Sequence, residues 1–256
     1  MRHSLTAFRR TPLPVFVLSL LVPLAFLSAC GGGSAATSAT ATPRATATET
    51  PAPGTFYFTA EDGVTLNGKI VGAGTTAIIF SAMDADPKEE WDQVAPLFVA
   101  RGYMTMTYDY RGLGQSQGHY IKDQIDRDLR AAVKAAQAKG ATKIVLMGSS
   151  IGGIVTAKVA ATAQPVATVV LSAPLSYGGI GVSADELKAI PGAKFFAAAE
   201  KDSPYPGTVQ GMYSTVTEPK EVHIYPGNSH GTNLFGDKSA FKTQLFAFLD
   251  KYAPAK

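Results

Sequence analysis

The sequence predicts an α/β fold in which a mostly parallel central sheet is covered by helices on both faces. Short apolar segments such as Ala77–Phe80 are nearly unbroken runs of Val, Ile, Leu, Phe and Ala. Strands buried on both faces have this composition, and their alternation with helices is typical of parallel sheets. An antiparallel hairpin is predicted only at the start, where Asp62-Gly63 separates Phe56–Thr59 from Val64–Val71.

The remaining elements alternate to the end of the chain. Further strands are predicted at Tyr103–Tyr108, Lys143–Met147, Val166–Ser172, Ala193–Ala199 and Val222–Tyr225. Helices are predicted from apolar residues at helical spacing. They are Glu89–Arg101, Gln124–Lys139, Gly152–Ala163, Ala184–Ala189 and Ser239–Tyr252.

Composition excludes several classes of function. Of the 256 residues, 46% are hydrophobic and 17% charged, as expected for a globular protein with a sizeable core. The net charge of +3 comes entirely from Arg2, Arg9 and Arg10, and no basic run follows, so no nucleic-acid partner is predicted. Cys30 is the single cysteine, and no cluster has zinc-site spacing, so neither a disulfide within the chain nor a metal or other cofactor is predicted.

The N-terminus has the pattern of an export signal. A basic segment is followed by the apolar run Leu13–Leu27, which ends in Leu27-Ser28-Ala29-Cys30. An uncleaved membrane anchor is disfavoured because the run is short and Pro14 and Pro23 interrupt it. Plain secretion is the other alternative.

The Leu-Ser-Ala-Cys sequence resembles the lipobox of bacterial lipoproteins. This resemblance implies that the thiol of Cys30 receives a diacylglycerol and that the chain is cut just before it. We therefore expect an extracytoplasmic protein attached to the cell membrane by its N-terminal lipid. The predicted organisation is a signal peptide at 1–29, a disordered Ala/Thr/Pro/Gly-rich tether at 30–54, and a folded domain at 55–256.

A Gly-x-Ser-x-Gly motif marks the candidate reaction centre. Gly148-Ser149-Ser150-Ile151-Gly152 lies between a predicted strand and a predicted helix. In that context the serine occupies a sharp turn, so Gly148 and Gly152 are expected to let the backbone pass closely. A phosphate-binding turn is the alternative, but the motifs of such turns are missing from this segment of the sequence.

Residues 55–252 resemble the α/β-hydrolase family. Besides the serine motif, Asp109-Tyr110-Arg111-Gly112-Leu113-Gly114-Gln115-Ser116 is similar to a loop that this family carries after its fourth strand. In the family that loop is usually structural, so Asp109 and Arg111 are expected to be buried scaffold. The resemblance implies a nucleophile, an acid and a histidine in that chain order, each at the carboxyl end of a strand.

The resemblance implies Ser150 as nucleophile, Asp202 as acid and His230 as base. Glu200 competes with Asp202 because both follow the strand Ala193–Ala199. The other candidate bases are His119, which comes too early in the chain, and His223, which lies inside a predicted strand.

Two backbone N–H groups are expected to form an oxyanion hole. One is that of Ile151, directly after the nucleophile. The resemblance implies Met83 as the second donor, because Ser81-Ala82 aligns with the His-Gly pair that many relatives carry, from which this chain departs.

The function predicted from these residues is hydrolysis of carboxylic esters through an acyl-enzyme, with a small-molecule ester or acyl substrate. Only Leu175–Gly192 separates two late strands, so we expect little or no cap domain and an open site. Two alternatives remain: a serine peptidase or amidase of the same fold, and a non-catalytic envelope lipoprotein on a hydrolase scaffold.

Overall fold

The computed structural model describes residues 53–256 except residue 238 and the side chains of 237 and 239. The predicted signal peptide, Cys30 and all but the last two residues of the predicted tether therefore lie outside the described residues. Among the described helices, none combines the length and the apolar character needed to cross a membrane.

Eight strands form one sheet in the order β1-β2-β4-β3-β5-β6-β9-β10, and β2 alone runs against the others. Two further strands, β7 and β8, form a small separate hairpin. The strands are β1 Thr55–Thr59, β2 Thr65–Val71, β3 Thr76–Ser81, β4 Met104–Tyr108, β5 Lys143–Ser149, β6 Ala167–Leu171, β7 Ser176–Tyr177, β8 Ile180–Gly181, β9 Ala193–Ala199 and β10 Lys220–Tyr225.

The helices form two contacting groups. They are α1 Ala95–Val99, α2 Ile125–Ala138, α3 Ile151–Ala163, α4 Ala184–Ala189, α5 Tyr205–Thr215, α6 Leu234–Asp237 and α7 Ser239–Tyr252. Helices α2 to α5 contact one another in sequence, whereas α1 meets α7 through the rings of Phe98 and Phe246. Connections between parallel strands are right-handed crossovers. Because the chain changes direction across the sheet after β4, these crossovers place the helices in two layers. Every residue of β3, β4, β6 and β9 is buried, as predicted for strands covered on both faces.

One helix prediction was wrong, and helix α5 was missed. The single helix predicted at Glu89–Arg101 is a short 3₁₀ helix, Lys88–Trp91, followed by α1. Pro96 explains the break, because it has no N–H to bond the carbonyl of Asp92 and its ring would clash with that carbonyl. Helix α5 was not predicted, since Pro206, Gly207 and Gly211 lower its helix propensity. It forms because Val209 and Met212 are buried beneath it.

The insertion between β6 and β9 is small, as expected. It contains the β7–β8 hairpin and α4, whose Ser183 and Glu186 form a capping box. Leu175 and Tyr177 in this insertion remain 43% and 49% exposed, so the insertion does not bury its own large apolar side chains.

Candidate active site

Ser150 occupies a strained turn between β5 and α3. Its backbone has φ 55° and ψ −121°, a region that residues with a side chain rarely adopt. A Cβ on Gly148 would lie 2.1 Å from the carbonyl oxygen of Gly152, and one on Gly152 would lie 2.3 Å from that of Ser81. Both glycines are therefore required for the turn that presents the serine.

Asp202 and His230 are brought together by the loops that follow β9 and β10. Nδ1 of His230 lies 2.8 Å from Oδ2 and 3.1 Å from Oδ1 of Asp202. The aspartate side chain is 10% exposed and that of the histidine 30%. The ring of Tyr205 packs against His230 with centroids 4.5 Å apart, so one face of the imidazole is covered. This geometry leaves Nε2 of His230 available for proton transfer.

The competing residues lie elsewhere. Glu200 is exposed, and its backbone N–H bonds the carbonyl of Tyr225. His223 bonds Glu221 at 3.0 Å and stacks on Phe195 with centroids 4.9 Å apart. His119 is exposed in the loop before α2. Neither histidine shares the Asp202 contact that His230 makes.

Gly231 connects the histidine loop to the serine turn. A Cβ at this position would lie 2.0 Å from Oγ of Ser149 and 2.9 Å from Sδ of Met83. The residue after His230 therefore packs directly against the residue before Ser150 and against the turn that follows β3. Its φ of 56° also favours glycine. Three loops at the carboxyl edge of the sheet converge at this point.

Hydrogen bonds hold the turn after β3 in place. Ser81 Oγ and Tyr108 Oη lie 2.9 Å apart, and Tyr110 Oη donates to the carbonyl of Ala82 at 3.2 Å. Asp84 accepts bonds at 2.8 Å from Tyr120 and 2.6 Å from Lys122. A fixed turn suits a preorganised donor site, because such a site needs little rearrangement during reaction.

The two predicted oxyanion donors differ in what they contact. Ile151 is the first residue of α3, where a backbone N–H has no acceptor within the helix. The N–H of Met83 instead donates to Oε2 of Glu90 at 2.7 Å. A carboxylate thus already occupies one of the two expected donors.

Glu90 is the residue of this region that sequence reasoning missed. Burial raises the pKa of its carboxyl group to about 7, although the Met83 N–H and the Thr232 hydroxyl act in the opposite direction. Its Oε1 atom is buried with no hydrogen-bond partner in the described structure. No sequence motif predicts the contact between Glu90 and Met83, because it depends on how the 3₁₀ helix Lys88–Trp91 packs against the turn after β3.

A cleft of about 730 Å³ opens beside His230 and Glu90. It is lined by Glu90, Gln93, Val94, Leu97, Asn228, Ser229, His230, Thr232, Asn233, Phe235, Gly236 and Lys242. A second cavity of about 290 Å³ lies between β2, β4 and α1 and contains none of the predicted site residues. Within residues 53–256, as far as they are described, no group of His, Cys, Asp or Glu side chains is arranged to hold a metal ion.

The loop after β4 is a buried ionic scaffold, as expected. Arg111 donates to Asp128 at 2.8 Å and to Asp62 at 2.7 Å. The hydrogen bond from Arg111 lowers the pKa of Asp62 to about 2. Asp109 is fully buried and bonds Lys88, so these charges are used within the fold.

Comparison with known proteins supports the fold. A family model described as serine aminopeptidase, S33, matches residues 88–199, which is less than half of the chain and ends before Asp202. No curated protein matches the chain.

Among solved structures, an esterase of Pyrococcus furiosus, Pf2001, is similar at 19% identity and a TM-score of 0.70, over 77% of this chain and 90% of the other. The α/β-hydrolase GrgF of Penicillium sp. sh18 has 21% identity and a TM-score of 0.66, over 77% and 98%. Proline iminopeptidase of Mycobacterium smegmatis has 14% identity and a TM-score of 0.65, over 77% and 98%.

The strand order, the mostly parallel sheet and these similarities define an α/β-hydrolase fold with little cap. The family match over residues 88–199 agrees with this fold.

Proposed function

We propose that the protein is a serine hydrolase that cleaves carboxylic esters, with Ser150, Asp202 and His230 as its catalytic triad. The observation that carries the proposal is the strained serine turn at the same sheet edge as an imidazole bonded to a carboxylate at 2.8 Å. This combination supplies a presented nucleophile, a base, and a group that orients the base.

The proposed reaction has two halves. His230 accepts the proton of Ser150 as the serine oxygen attacks the ester carbonyl carbon, and the tetrahedral oxyanion is held by the N–H groups of Ile151 and Met83. The alcohol leaves with the proton from His230, and the acyl group stays on Ser150. Water, deprotonated by His230, then attacks the acyl-enzyme, and the carboxylic acid and free serine are restored.

An open site favours small or flexible esters. The insertion after β6 is too short to enclose a substrate, and its Leu175 and Tyr177 side chains are exposed. The cleft next to His230 has both polar and apolar walls, so it suits the alcohol or acyl part of an uncharged ester.

Peptide or amide hydrolysis is the second candidate. It is favoured by the partial match to the serine aminopeptidase model and by the likeness to a proline iminopeptidase. The same triad serves both reactions, and the pocket decides between them.

The test combines active-site labelling with a substrate panel. We expect a fluorophosphonate to label the purified protein on Ser150, as located by mass spectrometry, and Ser150→Ala to remove both labelling and turnover. The panel comprises nitrophenyl esters of increasing acyl length and aminoacyl nitroanilides. Faster cleavage of the anilides would favour the peptidase, and an unlabelled Ser150 would contradict both candidates.

We further propose that Cys30 carries a diacylglycerol that attaches the mature protein to the extracytoplasmic face of the cell membrane. The Arg-rich start, the apolar run and Leu27-Ser28-Ala29-Cys30 support this proposal. Cys30→Ser is expected to prevent lipid attachment and to move the protein out of the membrane fraction. Recovery of the unchanged protein as a soluble species cleaved at another site would contradict it.

A further inference from the structure

We propose that Glu90 gates the oxyanion hole: its ionised carboxylate holds the Met83 N–H and repels the oxyanion, whereas its neutral form yields the N–H to the substrate. This inference rests on the proposed function, because it concerns a donor that the reaction needs. It goes further, since it makes the donor's availability depend on one side chain.

The first step is competition for one hydrogen. Met83 has a single backbone N–H, and at 2.7 Å Oε2 of Glu90 is a close acceptor for it. An oxyanion that forms at Ser150 needs the same N–H. While the carboxylate is charged, the substrate must displace a charge-assisted hydrogen bond, which is roughly twice as strong as a neutral one.

The second step is electrostatic. A carboxylate beside the donor places negative charge where the reaction generates more negative charge, and this raises the energy of the tetrahedral intermediate. Neutral Glu90 removes the repulsion and weakens the acceptor. Oε1 of Glu90 is buried, so water screens the charge less than it would at the surface.

The third step concerns the charged groups that face Glu90. Asp86 on the turn after β3 adds negative charge and favours the neutral form. His230 and Lys242 line the same cleft from the histidine loop and from α7. On its own 3₁₀ helix, Lys88 is paired with Glu89 at 2.9 Å and Asp109 at 2.8 Å. Burial sets the pKa of Glu90 at about 7, so the gate changes state near neutral pH.

The sign of the pH effect follows. Above pH 7 Glu90 is increasingly ionised, so kcat/KM and the rate of fluorophosphonate labelling fall, on the order of tenfold per pH unit while only the neutral form reacts. Glu90→Gln keeps the shape without the charge and is expected to lose only the alkaline fall.

The experiment measures kcat/KM and labelling of Ser150 from pH 5 to 9.5 in the parent protein, Glu90→Gln and Glu89→Gln. Glu89 is the matched control, because it is adjacent, with a side chain 54% exposed, and pairs with Lys88 rather than Met83. The gate predicts that only Glu90→Gln stays active at pH 9. An alkaline fall shared by all three proteins, or missing from the parent, overturns it.

The labelling profile of Ser150 separates failure of the gate from failure of the proposed function. If Glu90→Gln is poorly folded, the labelling profile of the parent protein decides alone, and a rate that rises to a plateau at pH 9 overturns the gate. If Ser150 is not labelled at any pH, the proposed function fails and the gate fails with it. Labelled Ser150 with an unchanged profile in Glu90→Gln rejects the gate only.

The stability of the folded state gives an independent readout. Folding raises the pKa of Glu90 from its ordinary value of 4.5, so the native state binds more protons than the unfolded state between pH 4.5 and 7. Stability conferred by this group is therefore lost as pH rises through that window. Glu90→Gln is expected to be more stable than the parent at pH 8, by a larger margin than at pH 5. Equal margins at the two pH values contradict a charge buried at this position.

Discussion

Asp109 and Asp202 follow parallel strands at the same edge of the sheet, yet their carboxylates differ in burial and in the groups they contact. Asp109 is fully buried and accepts three hydrogen bonds, from the backbone and side chain of Lys88 and from the backbone of Gln115. Asp202 remains partly exposed, and its carboxylate meets the ring of His230.

Under the proposed function, one carboxylate supports the fold and the other takes part in the reaction. A buried carboxylate whose two oxygens both accept hydrogen bonds from the protein is not accessible to a substrate. A carboxylate that orients an imidazole at the surface can stabilise the positive charge that the imidazole gains during reaction. Position at a strand end therefore does not by itself identify a functional acid. The hydrogen-bond partners of the carboxylate oxygens are the more informative observation.

The largest expected effect is on turnover when Asp202 loses its charge. Asp202→Asn keeps the size of the side chain but favours the wrong tautomer of His230, so kcat is expected to fall by up to about 10⁴-fold. The melting temperature should change little, because the side chain carries little of the core. Steady-state kinetics and thermal unfolding of the same sample check both parts. A variant with parent-like turnover would remove Asp202 from the triad.

The converse change breaks the scaffold. Asp109→Asn removes the buried charged partner of the Lys88 ammonium and leaves it only the exposed carboxylate of Glu89. Breaking one side of a buried pair costs about 3–5 kcal/mol of folding free energy. Molecules that remain folded are expected to keep near-parent kcat. Denaturant unfolding and active-site titration separate the fraction folded from the rate per site. A variant with full stability but lost turnover would mean that Asp109 acts in the reaction rather than in the scaffold.

The smallest effect is expected for Glu200, the neighbouring carboxylate. Glu200→Gln should change kcat by less than about twofold, since exposed charges are screened by solvent and the side chain lies in the exposed part of the loop. The comparison with Asp202→Asn uses the same assay. A larger loss for Glu200→Gln than for Asp202→Asn would identify Glu200 as the acid.

Much of this arrangement could be predicted from local sequence. The serine turn is predictable because Gly148 and Gly152 flank Ser150 between an apolar strand and a helix, and the backbone there allows few other residues. Asp202 and His230 could be proposed from chain order and family resemblance. Their contact is a property of the fold, since 28 residues separate them.

Other features depend on packing that no local pattern records. Helix α5 forms against its own propensity because Val209 and Met212 are buried. Pro96 in the sequence indicates the break before α1. The helical spacing of the apolar residues Trp91, Val94 and Phe98 nevertheless favoured one continuous helix. Glu90 illustrates the limit best. Its sequence neighbours suggest an exposed helix start, and only the position of the β3 turn directs it to Met83.

The backbone of Ser150 has an evolutionary consequence. At φ 55° a serine pays a conformational cost, of order 1–3 kcal/mol, that glycine would avoid. Substitution to glycine is thus a downhill step in stability that abolishes the hydroxyl. In a lineage released from selection for catalysis, random mutation would be expected to take that step. Under the proposed function, this conformational cost is the stability given up to present the serine oxygen to a substrate.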